Sequence, residues 1–355
     1  MRAGDAPKAF LERLDDAARN ALLAVARAVS FRRGACLVRA GETTRGAYIL
    51  REGQAEASVV LPGGEKLVVA KLGPGNLFGE TALFERGTAT ATVAASTNVD
   101  GWFLDRDDFR ALAAQRSPEA RSLQHALTLI LMEKLRAMNS RVLEAATPGD
   151  RPAGQAGAGD PLAEVKRVRK TAFDFKPFLP LLPVFEGFDE GEVAEVMDAS
   201  RLLELPQGHG IFASGQPSTA AFVVLRGAVE VYAGVAKRER RMAVLGPGQI
   251  FGFMSLLQGG THGSAASARE SSILLEIPSK AFEALYGGDT ALSTALHQAI
   301  QRSLLASLAQ TNRHLTRLIS LARLRGAHRE GDKLETALGG QIVAAPAPAS
   351  SVPAA

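Results

Sequence analysis

The sequence predicts a duplicated, mainly β protein of the α+β class: two small barrels or jelly rolls in tandem, each led by a short helix and followed by a long one. Three observations carry this expectation. A glycine-rich signature recurs at a fixed offset, runs of Val, Leu, Ile and Ala alternate between glycines, and each strand region gives way to apolar residues at helical spacing. With 355 residues, 46% of them hydrophobic, the chain has material for two cores.

Leu72-Gly73-Pro74-Gly75 followed by Phe78-Gly79 returns as Leu245-Gly246-Pro247-Gly248 followed by Phe251-Gly252, an offset of 173 residues. Ala40-Gly41 answers Ser214-Gly215 and Gly53 answers Gly227 at 174, while Phe109 and Leu112 answer Phe282 and Leu285 at 173. A near-constant offset across four anchors means two homologous domains. Leu14-Asp15 and Phe188-Asp189 occupy corresponding lead-in positions.

Strand-like runs in the first copy are Gly46 to Leu50, Ala55 to Val60, Leu67 to Leu72, Ala89 to Ala95 and Gly101 to Leu104, separated by turns such as Pro62-Gly63-Gly64. Many short strands with glycine turns fit a barrel or jelly roll. Leu123, Leu127, Leu131, Leu135, Met138 and Val142 then recur at steps of three and four and share one helix face, bracketed by Pro118 and Pro148. The second copy repeats the stripe with Leu292, Leu296, Ile300, Leu304, Leu308, Leu315 and Ile319. Such stripes bury inside their own chain or along a seam with a partner, so a protein partner or homodimer through the trailing helices is the expected macromolecular contact.

Thr147 to Asp160 is rich in Gly, Pro and Ala, and residues from about Gly339 onward are rich in Ala, Pro and Ser. Neither can bury a core. The expected organisation is domain 1 at 1–146, a flexible basic linker at 147–172, domain 2 at 173–325 and a disordered tail at 326–355.

Several function classes are disfavoured. A net charge of +4, from 41 basic against 37 acidic residues, demands no polyanionic partner. Cys36 is the only cysteine, which excludes an intramolecular disulfide. Met1 to Asp16 lacks an apolar signal core, and the oiliest run, Ala126 to Met132, is far below the roughly 18 residues of a membrane span, so the expectation is a soluble, cytoplasmic chain. The six histidines form no H-x-H or H-x-x-x-H pair, no Walker loop follows Gly73-Pro74-Gly75, and no G-x-S-x-G elbow occurs. No metal site, catalytic group or enzymatic activity is expected. The basic runs Lys166-Arg167-Val168-Arg169-Lys170 and Lys237-Arg238-Glu239-Arg240-Arg241 are capable of meeting phosphates, but solvated faces are the commoner use of such runs.

The stretch Phe78-Gly79-Glu80-Thr81-Ala82-Leu83-Phe84-Glu85-Arg86-Gly87-Thr88-Ala89-Thr90-Ala91-Thr92-Val93 resembles the phosphate-binding cassette of the cyclic nucleotide-binding domain family. The resemblance covers nearly the whole chain, because lead-in helix, glycine-spaced strands, cassette and trailing helix all appear twice. It implies tandem double-stranded β-helix (jelly-roll) domains, as in cAMP-binding regulatory subunits, and a cyclic nucleotide (cAMP or cGMP) as ligand. Sequence-specific DNA binding of the catabolite-activator type would need a helix-turn-helix after the trailing helix; the first copy runs into a linker and the second into Gly326 to Ala355, so such binding is not expected.

By that resemblance, Phe78, Gly79, Glu80, Thr81, Ala82, Leu83, Arg86, Thr88, Ala89, Thr90 and Ala91 are the candidate ligand residues. Glu80 matches the acceptor for a ribose hydroxyl, and the family's phosphate-pairing arginine falls at Ala89 or Thr90, where no cation stands. Arg86, three residues earlier, and the hydroxyls of Thr88, Thr90 and Thr92 are the available substitutes. The second cassette, with Gly252, Phe253, Met254, Ser255, His262, Gly263, Ser264 and Ala265, reads as degenerate: Phe253 replaces the glutamate as a pocket plug, and the arginine position falls at Gly263 or His262. Losing one partner of a desolvated charge pair costs ~2–5 kcal/mol. Three uses therefore compete: a cyclic-nucleotide sensor acting through domain 1 and its trailing helix, a sensor of an uncharged nucleoside, and a ligand-independent scaffold.

Overall fold

The computed structural model describes residues 9–60, 64, 66–84, 88–145, 161–163, 165, 167–168, 175–235, 238–324 and 342–343. Two units make up the chain, Met1–Ala113 with Asn312–Ala355 and Ala114–Thr311.

In the first unit, α1 (Asp16–Val25) precedes β1 (Arg27–Phe31), β2 (Cys36–Val38), β3 (Gly46–Glu52), β4 (Ala55–Val60), β5 (Lys66–Leu72), β6 (Leu77–Phe78), the short helix α2 (Thr81–Phe84), β7 (Thr92–Ala95), β8 (Val99–Asp105) and α3 (Arg106–Ala113). The strands form two antiparallel sheets, ordered β1-β8-β3-β6 and β5-β4-β7-β2. Inward-facing Leu37, Val38, Leu50, Phe78, Val93 and Val99 form the core between them. Small residues, Ala55, Ala57 and Ala95, let the sheets close on it.

The second unit begins with α4 (Pro118–Ala145), followed by β9 (Arg167–Val168), α5 (Glu190–Asp198), β10 (Arg201–Leu205), β11 (Gly210–Phe212), β12 (Ala220–Arg226), β13 (Val229–Val235), β14 (Arg238–Leu245), β15 (Ile250–Phe251), α6 (Phe253–Gln258), β16 (Ala265–Ala268), β17 (Ser272–Pro278), α7 (Ser279–Gly287) and the residues of α8 (Ala291–Leu324) up to Thr311. Its sheets, β9-β10-β17-β12-β15 and β11-β16-β13-β14, repeat the first unit's strand order with one strand added. The two lead-in aspartates do the same work in both copies. Asp15 accepts a hydrogen bond from the Ala18 amide at 2.7 Å, and Asp189 caps α5 through the Glu192 amide at 2.8 Å while Glu192 reaches back to the Asp189 amide.

The packing differs from the expected boundaries in three places. The helix expected to close domain 1, α4, belongs to the second unit. It is held on α7 and α8: Gln301 donates to the Gln124 carbonyl at 2.9 Å and to the Thr128 hydroxyl at 3.1 Å, Thr311 bonds Asn139 at 3.3 Å, and Arg121 pairs with Asp289. The apolar stripe is therefore spent inside the chain, with Leu123, Leu127, Leu131 and Val142 at most 1% exposed. Part of the expected linker is also ordered: β9 extends the sheet at the edge strand β10, pairing Arg167 with Leu203 and Val168 with Leu202. Within the expected tail, β18 (Ile342–Val343) pairs with β5 in the first unit, and the rest of that tail lies outside the described residues. Each added strand satisfies backbone groups that an open sheet edge would leave bare.

Arg167 is thus not a phosphate-facing residue. Its guanidinium donates to both carboxylate oxygens of Glu276, at 2.9 and 3.2 Å, and to the Leu162 carbonyl at 3.2 Å. The Glu276 side chain is 7% exposed and that of Arg167 29%. Arg167→Ala strands a buried carboxylate, and the expected loss in urea unfolding is about 2–3 kcal/mol, short of the ~3–5 for a fully enclosed pair. The double variant Arg167→Met with Glu276→Leu should recover most of it; a single variant within ~0.5 kcal/mol of wild type would show that the pair does not anchor this strand.

Candidate functional site

Both cassettes start from the same backbone device. Gly79 and Gly252 sit at φ +73° and +80°, turning the chain out of β6 and β15 into α2 and α6. A Cβ at Gly252 would come within 3.1 Å of the Ala220 carbonyl oxygen and of the Phe222 ring, so glycine is required by both φ and space. Downstream, Gly41 donates to the Ala89 carbonyl at 2.8 Å and Ala89 to the Glu42 carbonyl at 2.9 Å. In the second unit Gly215 donates to the His262 carbonyl at 2.7 Å, and His262 to the Gln216 carbonyl at 2.8 Å. This reciprocal pair equates Ala89 with His262, in keeping with the offset of 173 residues.

In the first cassette, Phe78 is buried and stacked on Tyr48 with centroids 5.3 Å apart. Glu80 is half-buried beside Thr81, and Ala82 and Leu83 point into the core. Ala89 and Ala91 pack against that core, whereas Thr88 and Thr90 are exposed and the Thr92 hydroxyl accepts from the Ala40 amide at 3.0 Å. The expected row of hydroxyl donors is therefore not assembled: two of its members face outward and the third is occupied by backbone. Arg86 lies outside the described residues. Two arginines absent from the sequence-level list hold this cassette instead. Arg106, 9% exposed, donates to the Ala82 carbonyl and, at 2.7 Å, to the Thr44 carbonyl; Arg110 donates to the Leu83 and Phe84 carbonyls. Their four-residue spacing on the helix after β8 was the available signal, since it places both on one face.

The second cassette borders a cavity of about 500 Å³. Its barrel side is formed by Phe212, Val231, Ala233, Met242, Ala243, Leu245, Ile250 and Phe251, and its cassette side by Gly252, Phe253, Met254, Ser255 and Thr261 to Ser264. Ala265, where β16 begins, is not among the lining residues. Phe253, expected to plug the pocket, lines its wall and leaves it open. A helical wall completes it: Leu135, Arg136, Asn139, Ser140 and Leu143 from α4, and Ser303, Leu304, Ser307, Gln310 and Thr311 from α8. The residues judged degenerate in the sequence thus surround a cavity of ordinary small-molecule size.

Two of its polar residues, His262 and Arg136, have side chains able to carry a charge. His262 is 5% exposed, with its ring parallel to Phe212 at 3.8 Å, and its nitrogens make no hydrogen bond among the described residues. Burial lowers its pKa to about 4, which keeps the imidazole neutral. Arg136 is the one charged residue of the lining among the described residues. Burial lowers the pKa of its guanidinium, an effect the Glu133 carboxylate partly opposes, but the group stays cationic. Among the described residues the wall holds no carboxylate, and its imidazole is neutral.

Helix α8 carries a second desolvated imidazole. His297 donates from Nε2 to the Tyr286 carbonyl at 3.2 Å, leaving Nδ1 buried without a partner among the described residues. A second proton would have no acceptor, and burial lowers the pKa to about 3, assisted by the nearby His125.

The family model for the cyclic nucleotide-binding domain matches residues 28–116 and 202–289. Among curated proteins, the cyclic AMP receptor protein of Thermus thermophilus is 35% identical over 27% of this chain and 44% of its own length. The cAMP-dependent protein kinase regulatory subunit of Mycosarcoma maydis is 24% identical over 61% of this chain and 31% of its own length. The chain thus spans less than half the length of either relative. Among solved structures, the regulatory domain of Toxoplasma gondii PKA with cAMP aligns at 21% identity over 79% of this chain and 88% of that one, with a TM-score of 0.30.

His262 and His297 are neutral in the folded chain, whereas in the unfolded chain they protonate below about 6.5. Stability is therefore fully present above pH 6.5 and falls as the pH drops toward 4 and 3. At pH 5 each imidazole should weaken the fold by about 2 kcal/mol, at 1.36 kcal/mol per pH unit below the free value. Urea midpoints at pH 7.5 and 5 should separate less for His297→Gln than for wild type; equal separations would mean that His297 is not a titrating group.

Proposed function

The chain belongs to the cyclic nucleotide-binding domain family, which it carries twice, and from that premise we propose that it is a non-catalytic regulatory protein whose second domain holds the ligand. The observation that carries this reading is the cavity of about 500 Å³ bordered by the second cassette and walled by α4 and α8. A ligand-independent scaffold has no need of a concave site of this size, which is in the range that small-molecule sites occupy. The ligand class is a cyclic nucleotide or its nucleoside, with the base between the Phe212 and His262 stack and the apolar side chains around it.

Signal transfer runs through α4. Five residues of this helix line the cavity, and four residues of chain, Ala114 to Ser117, join it to α3. Arg106 and Arg110 of α3 in turn hold the carbonyls of the first cassette helix. A ligand that prefers one packing of α4 shifts the population of that packing, and the trailing helix of domain 1 is then the element that responds.

Thermal unfolding with cAMP, cGMP, adenosine and guanosine tests the site. At 100 times its dissociation constant a ligand adds ~2.7 kcal/mol, a midpoint increase of several degrees. Ser307→Trp, placed in the helical wall, should abolish the increase, and Glu80→Ala should preserve it. The opposite pattern would put the ligand in the first cassette, and no increase with any compound would leave the scaffold reading standing.

A further inference from the structure

Resting on the reading of the second cavity as the ligand site, we propose that this cavity selects an anionic ligand and that Arg136, on the helix α4, is the cation that holds it. The family resemblance places a phosphate partner on the cassette, at Gly263, which has no side chain, or at His262. The His262 side chain cannot serve as the counter-charge: its ring is committed to Phe212 and is uncharged at neutral pH. The cavity has nonetheless not lost its cation, which comes from a different element.

Three observations support the assignment. Among the described residues lining the cavity, Arg136 is the one that carries a charge, and none is an aspartate or glutamate. Its guanidinium makes no hydrogen bond or ion pair among the described residues, unlike Arg167, Arg106 and Arg110, whose donors are all directed at named acceptors. It is also half-buried and partly desolvated, with only the more distant Glu133 carboxylate in opposition. A guanidinium presents up to five donors in a planar fork that fits phosphate or carboxylate oxygens, so an unpartnered, partly dehydrated one facing a cavity favours an anion there. Asn139 and Ser140 from the same helix, with Ser303 and Ser307 of α8, supply neutral groups for the remaining oxygens. Anion recognition has thus moved from the barrel loop to the helix, so the ligand's charge is bound by the element that transmits the signal.

The test is isothermal titration of the full chain in a Glu80→Ala background, which disables the ribose acceptor of the first cassette. The probes are cAMP and cGMP, each against its phosphate-free nucleoside. The starting protein should bind one cyclic nucleotide more tightly than its nucleoside by at least about 30-fold. Arg136→Gln should erase that preference while leaving nucleoside affinity unchanged, which also reports that the cavity is intact, and Arg136→Lys should restore part of it. A preference that survives Arg136→Gln overturns the assignment of Arg136 and leaves the proposed function in place. Equal binding of nucleotide and nucleoside by the starting protein overturns anion selection, again with a sensor remaining. Binding of none of the four overturns the proposed function and the assignment with it.

Discussion

The docking of α4 onto α7 and α8 is the constraint on which the rest of the second unit depends. It is a polar contact inside an apolar one: Gln301, 1% exposed, donates to a main-chain carbonyl and a hydroxyl of α4, while Thr128 itself donates to the Gln124 carbonyl at 2.9 Å. Leucines alone would allow the helices to slide by a turn with little penalty. A buried amide that must find two acceptors does not, because each wrong register leaves it unsatisfied at ~1–3 kcal/mol. The register thus fixed brings Leu135 to Leu143 and Ser303 to Thr311 to the same cavity.

Desolvation gives that region its chemical character. The same burial that keeps His262 and His297 uncharged acts on Arg136, which cannot respond by losing its proton at any physiological pH. Histidine accommodates a dry site by becoming neutral. Arginine remains a charge for which the surroundings must provide, and where it has no acceptor of its own, an anion entering the cavity gains the interaction that water supplies elsewhere.

Much of the architecture was legible because it rests on local rules. The Gly-Pro-Gly repeats, the capping aspartates Asp15 and Asp189 and the three-and-four spacing of the leucines each specify their own segment, and duplication lets one copy check the other. Helix ownership was not legible, since the stripe from Leu123 to Val142 states that α4 is buried without stating against what. The helical wall of the cavity was not legible for the same reason. Residues of the cassette were found by resemblance, but the cavity also needs a wall from two helices distant in sequence, and Arg136 has no motif around it. Its position next to the stripe residue Leu135 was the only sign, and an arginine at the margin of an apolar face ordinarily extends to water. Likewise Arg167 looked like one member of a basic run until Glu276, 109 residues away, was seen to be its partner.

Placing a ligand's charge on α4 has a thermodynamic consequence that a site confined to the barrel would lack. A ligand shifts a conformational equilibrium only by the difference between its affinities for the two states. If every contact came from the barrel and cassette, movement of α4 would leave those contacts intact, and tight binding would carry little information to the helix. When the counter-charge rides on α4, withdrawal of the helix removes the strongest single interaction available in the cavity, so affinity and helix position become one equilibrium. By reciprocity, whatever holds α4 on α7 and α8 also raises the affinity for the ligand. On the proposed assignment, the hydrogen bonds of Gln301 and the charge of Arg136 bear on the same equilibrium, and a change at either should be felt at the other.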